Sequence, residues 1–202
     1  MAEVSVAPLT VAPLTAARFD DLVELFGPGG ANSGCWCMWW RLPAKDWSAR
    51  AGQAAQDPEC GNKAAFERVV ESGEPTGLLG YLDGRAVGWC AVAPRMAYPR
   101  LLRSRAIGPL DPDEPGVWSV TCFFIHRKHR NAGVAHALLT AAVETAIAGG
   151  ASAVEGYPVD ASEGRRPSGD LFTGTVGQFK RAGFTAVDGA TGKRVVMRRS
   201  VG

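Results

Sequence analysis

No stretch of the 202-residue chain stays apolar for the roughly 20 residues that a helix needs to cross a bilayer, so no membrane partner is expected. The first residues, "MAEVSVAPLT", lack the basic-then-apolar plan of a secretion signal, and a cytoplasmic location is the corresponding expectation. Charge of one sign is also lacking. Lys and Arg number 22 against 20 Asp and Glu, for a net charge of +2, too little for a general field that would collect nucleic acid or an anionic surface. Any cationic site must therefore be local. The five cysteines are odd in number and come with no export signal, which points to reduced thiols rather than a disulfide framework. Two phosphate-binding patterns are missing as well. No "GxxxxGK[ST]" loop is present for a nucleoside triphosphate, and no early "GxGxxG" for a dinucleotide.

What is present reads as one compact domain over residues 1–202, since 46% hydrophobic residues in a chain of this length fill a sizeable core. "VAPLTVAPLT" repeats a five-residue unit once and is too short for a repeat architecture. Thr15 is positioned to cap a helix over 16–26, with Phe19, Leu22, Val23 and Phe26 on one face and "GPGG" as its stop. Helices are expected near 44–54 and 62–72, followed by the hairpin "TGLLGYLDGRAVGWCAVAPR" with Asp83 and Gly84 at its turn. A strand over 117–125, a helix over 134–148 and a strand over 153–157 come next. A polar insert then leads to a helix near 173–182 and two short strands, the last being "RVVMRR". The fold class is α/β (α+β): a mixed, mostly antiparallel central sheet flanked by helices, with one strand–helix–strand unit inside it.

That unit holds the most informative stretch, "CFFIHRKHRNAGVAHALL". A helix starting directly after a strand leaves several N–H groups pointing outward at the positive end of its dipole, a natural seat for phosphate. Small residues at Ala132, Gly133 and Ala135 let a diphosphate approach the backbone, and Arg127, Lys128 and Arg130 reach its oxygens from the rim. A solvated basic turn before an ordinary surface helix is the competing interpretation.

The chain here resembles the GNAT superfamily of N-acetyltransferases. Arg130, Asn131, Ala132, Gly133, Val134 and Ala135 match its "[RQ]xxGx[GA]" turn, the upstream hairpin and the next strand "AVEGY" fit, and "FKRAGF" stands where the family carries "YxxxGF". The likeness spans about 76–198. It implies acetyl-CoA as co-substrate, no metal, and a gap between splayed fourth and fifth strands that takes the pantetheine arm. Phe123 and Ile125 would offer backbone groups to that arm, with Phe124 beside it. By the same likeness residues 1–75 supply an N-terminal strand and acceptor-side helices, and 76–202 the hairpin, the acetyl-CoA core and the last strands.

Acetyl transfer to an amine needs a proton acceptor and help for the departing thiolate. The family's tyrosine acid falls on Phe179 and its strand-four glutamate on Ser119, whose hydroxyl can at most order a water. Glu155 as base and Tyr157 as acid are the substitutes, alternating on the fifth strand so that both face one side. A structural Glu155 paired with an arginine is the other interpretation, and Cys122 reads as an inert strand thiol.

The acceptor is expected at "CWCMWWR", where Trp36, Trp39, Trp40 and Arg41 suit a flat or cationic amine, although the same cluster would serve as an apolar staple. Zinc through Cys35, Cys37 and Cys60 has poor spacing and no fourth ligand. Asn32, Asn62, Arg95 and Tyr98 are further acceptor contacts by position in family pockets. Two functions remain: an N-acetyltransferase acting on a small-molecule or protein amine, and a GNAT-fold acyl-CoA or partner binder with little turnover. A homodimer is compatible with either.

Overall fold

The computed structural model describes residues 8–31, 34–53, 61–104, 111–161, 168–187 and 195–201. Strands β1 (Thr10–Pro13), β2 (Gly77–Leu82), β3 (Arg85–Pro94), β4 (Val117–Ile125), β5 (Ala153–Gly156), β6 (Thr185–Ala186) and β7 (Met197–Ser200) form one sheet. Their order is β1-β2-β3-β4-β5-β7-β6, and every pair is antiparallel except β4 with β5. Asp83 and Gly84 close the β2–β3 hairpin as expected, both at positive φ (49° and 74°), which a two-residue turn of this hand requires.

The helices are α1 (Phe19–Phe26), α2 (Ala44–Gln53), α3 (Asn62–Glu71), α4 (Pro99–Leu102), α5 (Val134–Ala148) and α6 (Val176–Arg181). Alternation along the central strands feeds two cores. On one face Cys90, Val92 and Val120 meet Leu138, Leu139, Ala142, Val143 and Ala146 of α5, all fully buried or nearly so. Each Leu sealed there contributes roughly 1.5–3 kcal/mol. On the other face Leu79, Trp89 and Ala91 meet Leu22, Leu25 and Phe26 of α1 and Phe66 of α3.

Two boundaries differ from the sequence expectation. The segment after Thr15 starts as a 3-10 turn, Ala16–Arg18, in which the Arg18 N–H bonds Thr15 O at 2.9 Å, and the Thr15 side chain makes no capping bond. The helix expected near 173–182 is the shorter α6, and a 3-10 segment, Ser168–Thr173, precedes it. Thr175 starts α6 because its hydroxyl accepts from the Gln178 N–H at 3.3 Å.

The feature that positions the site is the short β4–β5 ladder. It runs only from Val117 to Val120 against Ala153 to Gly156, so among the described residues the rest of β4 has no strand on that side. The parting begins at a bulge. Ala91 faces Cys122 while Val92 faces Val120, which leaves Thr121 without a register partner on either neighbour.

Candidate active site

The turn between β4 and α5 is built to present backbone donors. Asn131 and Gly133 both sit in left-handed conformations, with φ of 63° and 78°. A Cβ on Gly133 would meet nothing within 4 Å, so glycine is needed there for its backbone angle and not for lack of space. The Gly133 carbonyl accepts from the N–H groups of His136 and Ala137, both at 3.0 Å. The amides of residues 130–135 have no hydrogen-bond partner among the described residues. Arg130 is anchored by its Nε, which donates to Ile125 O at 3.2 Å. Burial and then the positive charges of His129, Lys128, Arg127 and Arg130 hold His126 below its ordinary pKa, a sign of the local cationic field. Free amides at a helix start, rimmed by cations, form an anion seat.

Three neighbouring spaces, each sharing lining residues with the next, lead away from this turn. A cavity of about 640 Å³ lies over it, lined by Arg130, Asn131, Gly133, Val134, Ala135 and others. Ile125, Arg130, Ala135, Thr175 and Gln178 also line a slot of about 280 Å³ that runs along Phe123, Phe124 and Ile125. Gly169 and Phe172, which line the slot, also line a chamber of about 780 Å³ with Cys35, Cys37, Trp39, Trp40, Trp47, Thr121, Cys122 and Asp170. A long ligand with a diphosphate at one end and an extended arm fits this sequence of spaces: amides and cations for the anion, an unpaired strand edge for the arm.

The structure therefore brings Phe123, Phe124, Ile125, Arg130, Asn131, Gly133, Val134 and Ala135 to one continuous surface. Trp39 and Trp40 line the chamber; Trp36 and Arg41 do not. Trp36 packs on Phe26, with ring centroids 5.4 Å apart. Arg41 lies over the Tyr98 ring at 5.0 Å and donates to Pro75 O at 3.2 Å. Asn62 ties α3 to Gly34 O at 3.0 Å, while Asn32 and Cys60 lie outside the described residues. No cluster of metal-ligating side chains occurs among the described residues. Sequence reasoning missed Trp47, Thr121, Asp170 and Phe172 in the chamber, and Gln178, whose Nε2 donates to Ala135 O at 3.1 Å and links α6 to α5 beside the slot. Trp47 carried a signal, an aromatic on a polar helix.

Ser119, Glu155 and Tyr157 are also brought together, but as a buried chain. Ser119 Oγ and Tyr157 Oη lie 2.9 Å apart, and Tyr157 donates to Glu155 Oε2 at 3.1 Å. The Arg95 guanidinium donates to the same oxygen at 3.1 Å, and Arg198 donates to Oε1 at 3.1 Å while also clasping Glu114. Burial, then the neighbouring Glu155, pushes the Tyr157 phenol far above its ordinary pKa. None of the three residues lines the chamber or the slot. Phe179 is fully buried, edge-on to Phe123 and Phe184 at 6.2 and 5.0 Å.

The family model described as Acetyltransferase (GNAT) family matches residues 36–162. No curated protein matches the chain. Among solved structures, the PaiA N-acetyltransferase from Thermoplasma acidophilum in complex with coenzyme A is 11% identical, with 96% of this chain and 99% of that chain covered, at a TM-score of 0.51. The GNAT domain of S. lividans PAT is 15% identical over 95% of this chain and 89% of that one, at 0.53. YncA from Salmonella typhimurium, with its cofactor acetyl-CoA, is 13% identical over 96% and 94%, at 0.53. At such identities the likeness is one of fold. The family match covers more than half of the chain and includes the turn, the slot strand and the aromatic segment, and the protein belongs to the GNAT acetyltransferase family.

Proposed function

We propose that the protein is an N-acetyltransferase that moves the acetyl group of acetyl-CoA onto a primary amine by direct attack within a ternary complex. The observation that carries this reading is the run of unpaired amides at residues 130–135, at the mouth of a slot that adjoins the chamber. These amides and Arg130 hold the diphosphate, and the free edge of β4 holds the extended arm. The thioester then reaches the point where β4 and β5 part.

There Thr121, unpartnered in the ladder, lines the chamber and offers its backbone polar groups to the reacting carbonyl oxygen. The amine nitrogen forms its bond to the carbonyl carbon as the carbon–sulfur bond breaks. One proton leaves the ammonium for Asp170 or water before attack, and a second ends on the departing sulfur. Glu155, Tyr157 and Ser119 act as positioning residues in this scheme: their closed chain fixes β5 against β4 and so sets where the strands part. Much of the rate then comes from holding the two reactants together.

The sealed position of Glu155 and Tyr157 is what favours the binder alternative; the carboxylate of Asp170 at the chamber favours turnover. Thiol release from acetyl-CoA, screened against monoamines, polyamines, aminoglycosides, amino acids and lysine peptides, separates the two. The enzyme reading expects release with at least one amine, and a steep rise in KM for acetyl-CoA when Arg130→Ala and Gly133→Glu are combined. Saturable CoA binding with no release across the panel would overturn it.

A further inference from the structure

The chamber beside the slot has an unusual wall. Trp39 stands edge-on to Trp40 (6.3 Å, 78°) and to Trp47 (5.3 Å, 83°), and Phe172 lines both chamber and slot. The Trp39 ring is held from behind, because the Arg100 guanidinium stacks on it at 3.5 Å from the centroid. A second cavity of about 400 Å³, lined by Trp39, Trp40, Arg100 and Arg103, lies beyond this wall. Two cations beside the site are engaged with other groups, Arg100 with Trp39 and Arg41 with Tyr98 and Pro75.

Charge in the chamber is sparse. Among the described lining residues Asp170 is the single ionisable acid other than the thiols, and no lining side chain is cationic. A polyamine or an aminoglycoside brings several ammonium groups and a lysine peptide brings a polar chain, neither of which this lining satisfies. One carboxylate facing aromatic surfaces matches a single ammonium attached to an apolar, flat body. The chamber volume, about 780 Å³, suits a small molecule.

Resting on the acetyltransferase reading above, we infer that the acceptor is a small primary monoamine carrying an aromatic body. Asp170 receives its ammonium, and Trp39, Trp47 and Phe172 enclose its ring.

The test uses the full chain with phenylalanine amide, phenethylamine, spermidine and a lysine peptide, read both by thiol release from acetyl-CoA and by tryptophan fluorescence in titrations without acetyl-CoA. Phenylalanine amide and phenethylamine are expected to exceed spermidine and the peptide in kcat/KM by about 100-fold or more. Asp170→Asn, a substitution at an exposed position, is expected to lower kcat/KM for phenylalanine amide by about 10-fold or more, with KM for acetyl-CoA and the thermal midpoint unchanged. Preference for spermidine or the peptide, or an unchanged kcat/KM in Asp170→Asn, overturns the inference while leaving acetyl transfer standing. If none of these four amines releases thiol, the wider amine panel decides acetyl transfer and the fluorescence titration decides the chamber assignment. Saturable quenching by phenylalanine amide but not by spermidine supports the chamber assignment, and absence of quenching overturns it.

Discussion

The ring of Phe179 fills the space above Gly156: a Cβ on that glycine would stand 2.0 Å from Phe179 Cε1. Two expectations follow from this fit. Gly156→Ala should destabilise the protein by about 1–3 kcal/mol or more, since neither β5 nor the ring has room to shift. Phe179→Tyr restores the residue type of the family motif, yet its hydroxyl would enter a sealed core. It should cost about 1–3 kcal/mol and bring no gain in kcat. Chemical denaturation and thiol release measure both; a faster Phe179→Tyr enzyme would show that this position does reach the reacting groups.

Glu155 provides a second test, because its carboxylate is bonded by Arg95, Arg198 and Tyr157 at once. Removing one charge from a buried, fully engaged pair leaves guanidinium groups unpaired, which costs about 3–5 kcal/mol. Glu155→Gln should therefore lower the denaturation midpoint sharply, while the pH profile of the remaining folded enzyme keeps its shape. A stable Glu155→Gln protein with its rate abolished and its basic-limb pKa lost would instead identify Glu155 as the base.

The thiols of the chamber yield a chemical prediction. Burial, with Cys37 beside it, pushes the Cys35 thiol up to about 12, and the hydrogen bond with Cys122, then burial, pushes Cys37 well above its ordinary value. Since the thiolate is the reactive form, iodoacetamide at about pH 8 should modify both at least about 100-fold more slowly than free cysteine. Mass spectrometry of a labelling time course checks this, and complete labelling within minutes would contradict it.

Alkaline stability has a definite sign. Tyr81, which donates to Asp21 Oδ2 at 2.7 Å, and the buried Tyr98, Tyr157, Cys37 and Cys90 all have raised pKa values in the folded chain, chiefly from burial except at Cys37. The folded state keeps these protons to higher pH than the unfolded state does. Their contribution is thus present below about pH 9 and is lost as the pH climbs through the folded values. The thermal midpoint should hold from pH 7 to about 9 and fall beyond it. Phenol absorbance should rise only with unfolding; early titration of all three tyrosines would oppose this account.

Local chemistry made much of the architecture readable. Alternation marked β3 and β4, Asp83–Gly84 marked the hairpin, and the Ala-rich run after Gly133 marked α5, because each rests on contacts close in sequence. The diphosphate turn was legible for the same reason, although the left-handed Asn131 was not. The chamber was less so. Asp170 and Phe172 come from a segment more than 100 residues after Trp39, and no periodicity announces that the two meet. Nor does spacing disclose that Arg95 and Arg198, more than 100 residues apart in the chain, both bond Glu155.

The most direct measurement is calorimetric titration of the protein and its Gly133→Glu variant with coenzyme A. The wild-type chain should bind with a dissociation constant in the micromolar range and weaken as salt rises. The variant, with a carboxylate among the amides of 130–135 and a side chain forced to φ of 78°, should lose at least about 100-fold in affinity. No heat at millimolar coenzyme A, or equal affinity in the two proteins, would contradict the assignment of that turn.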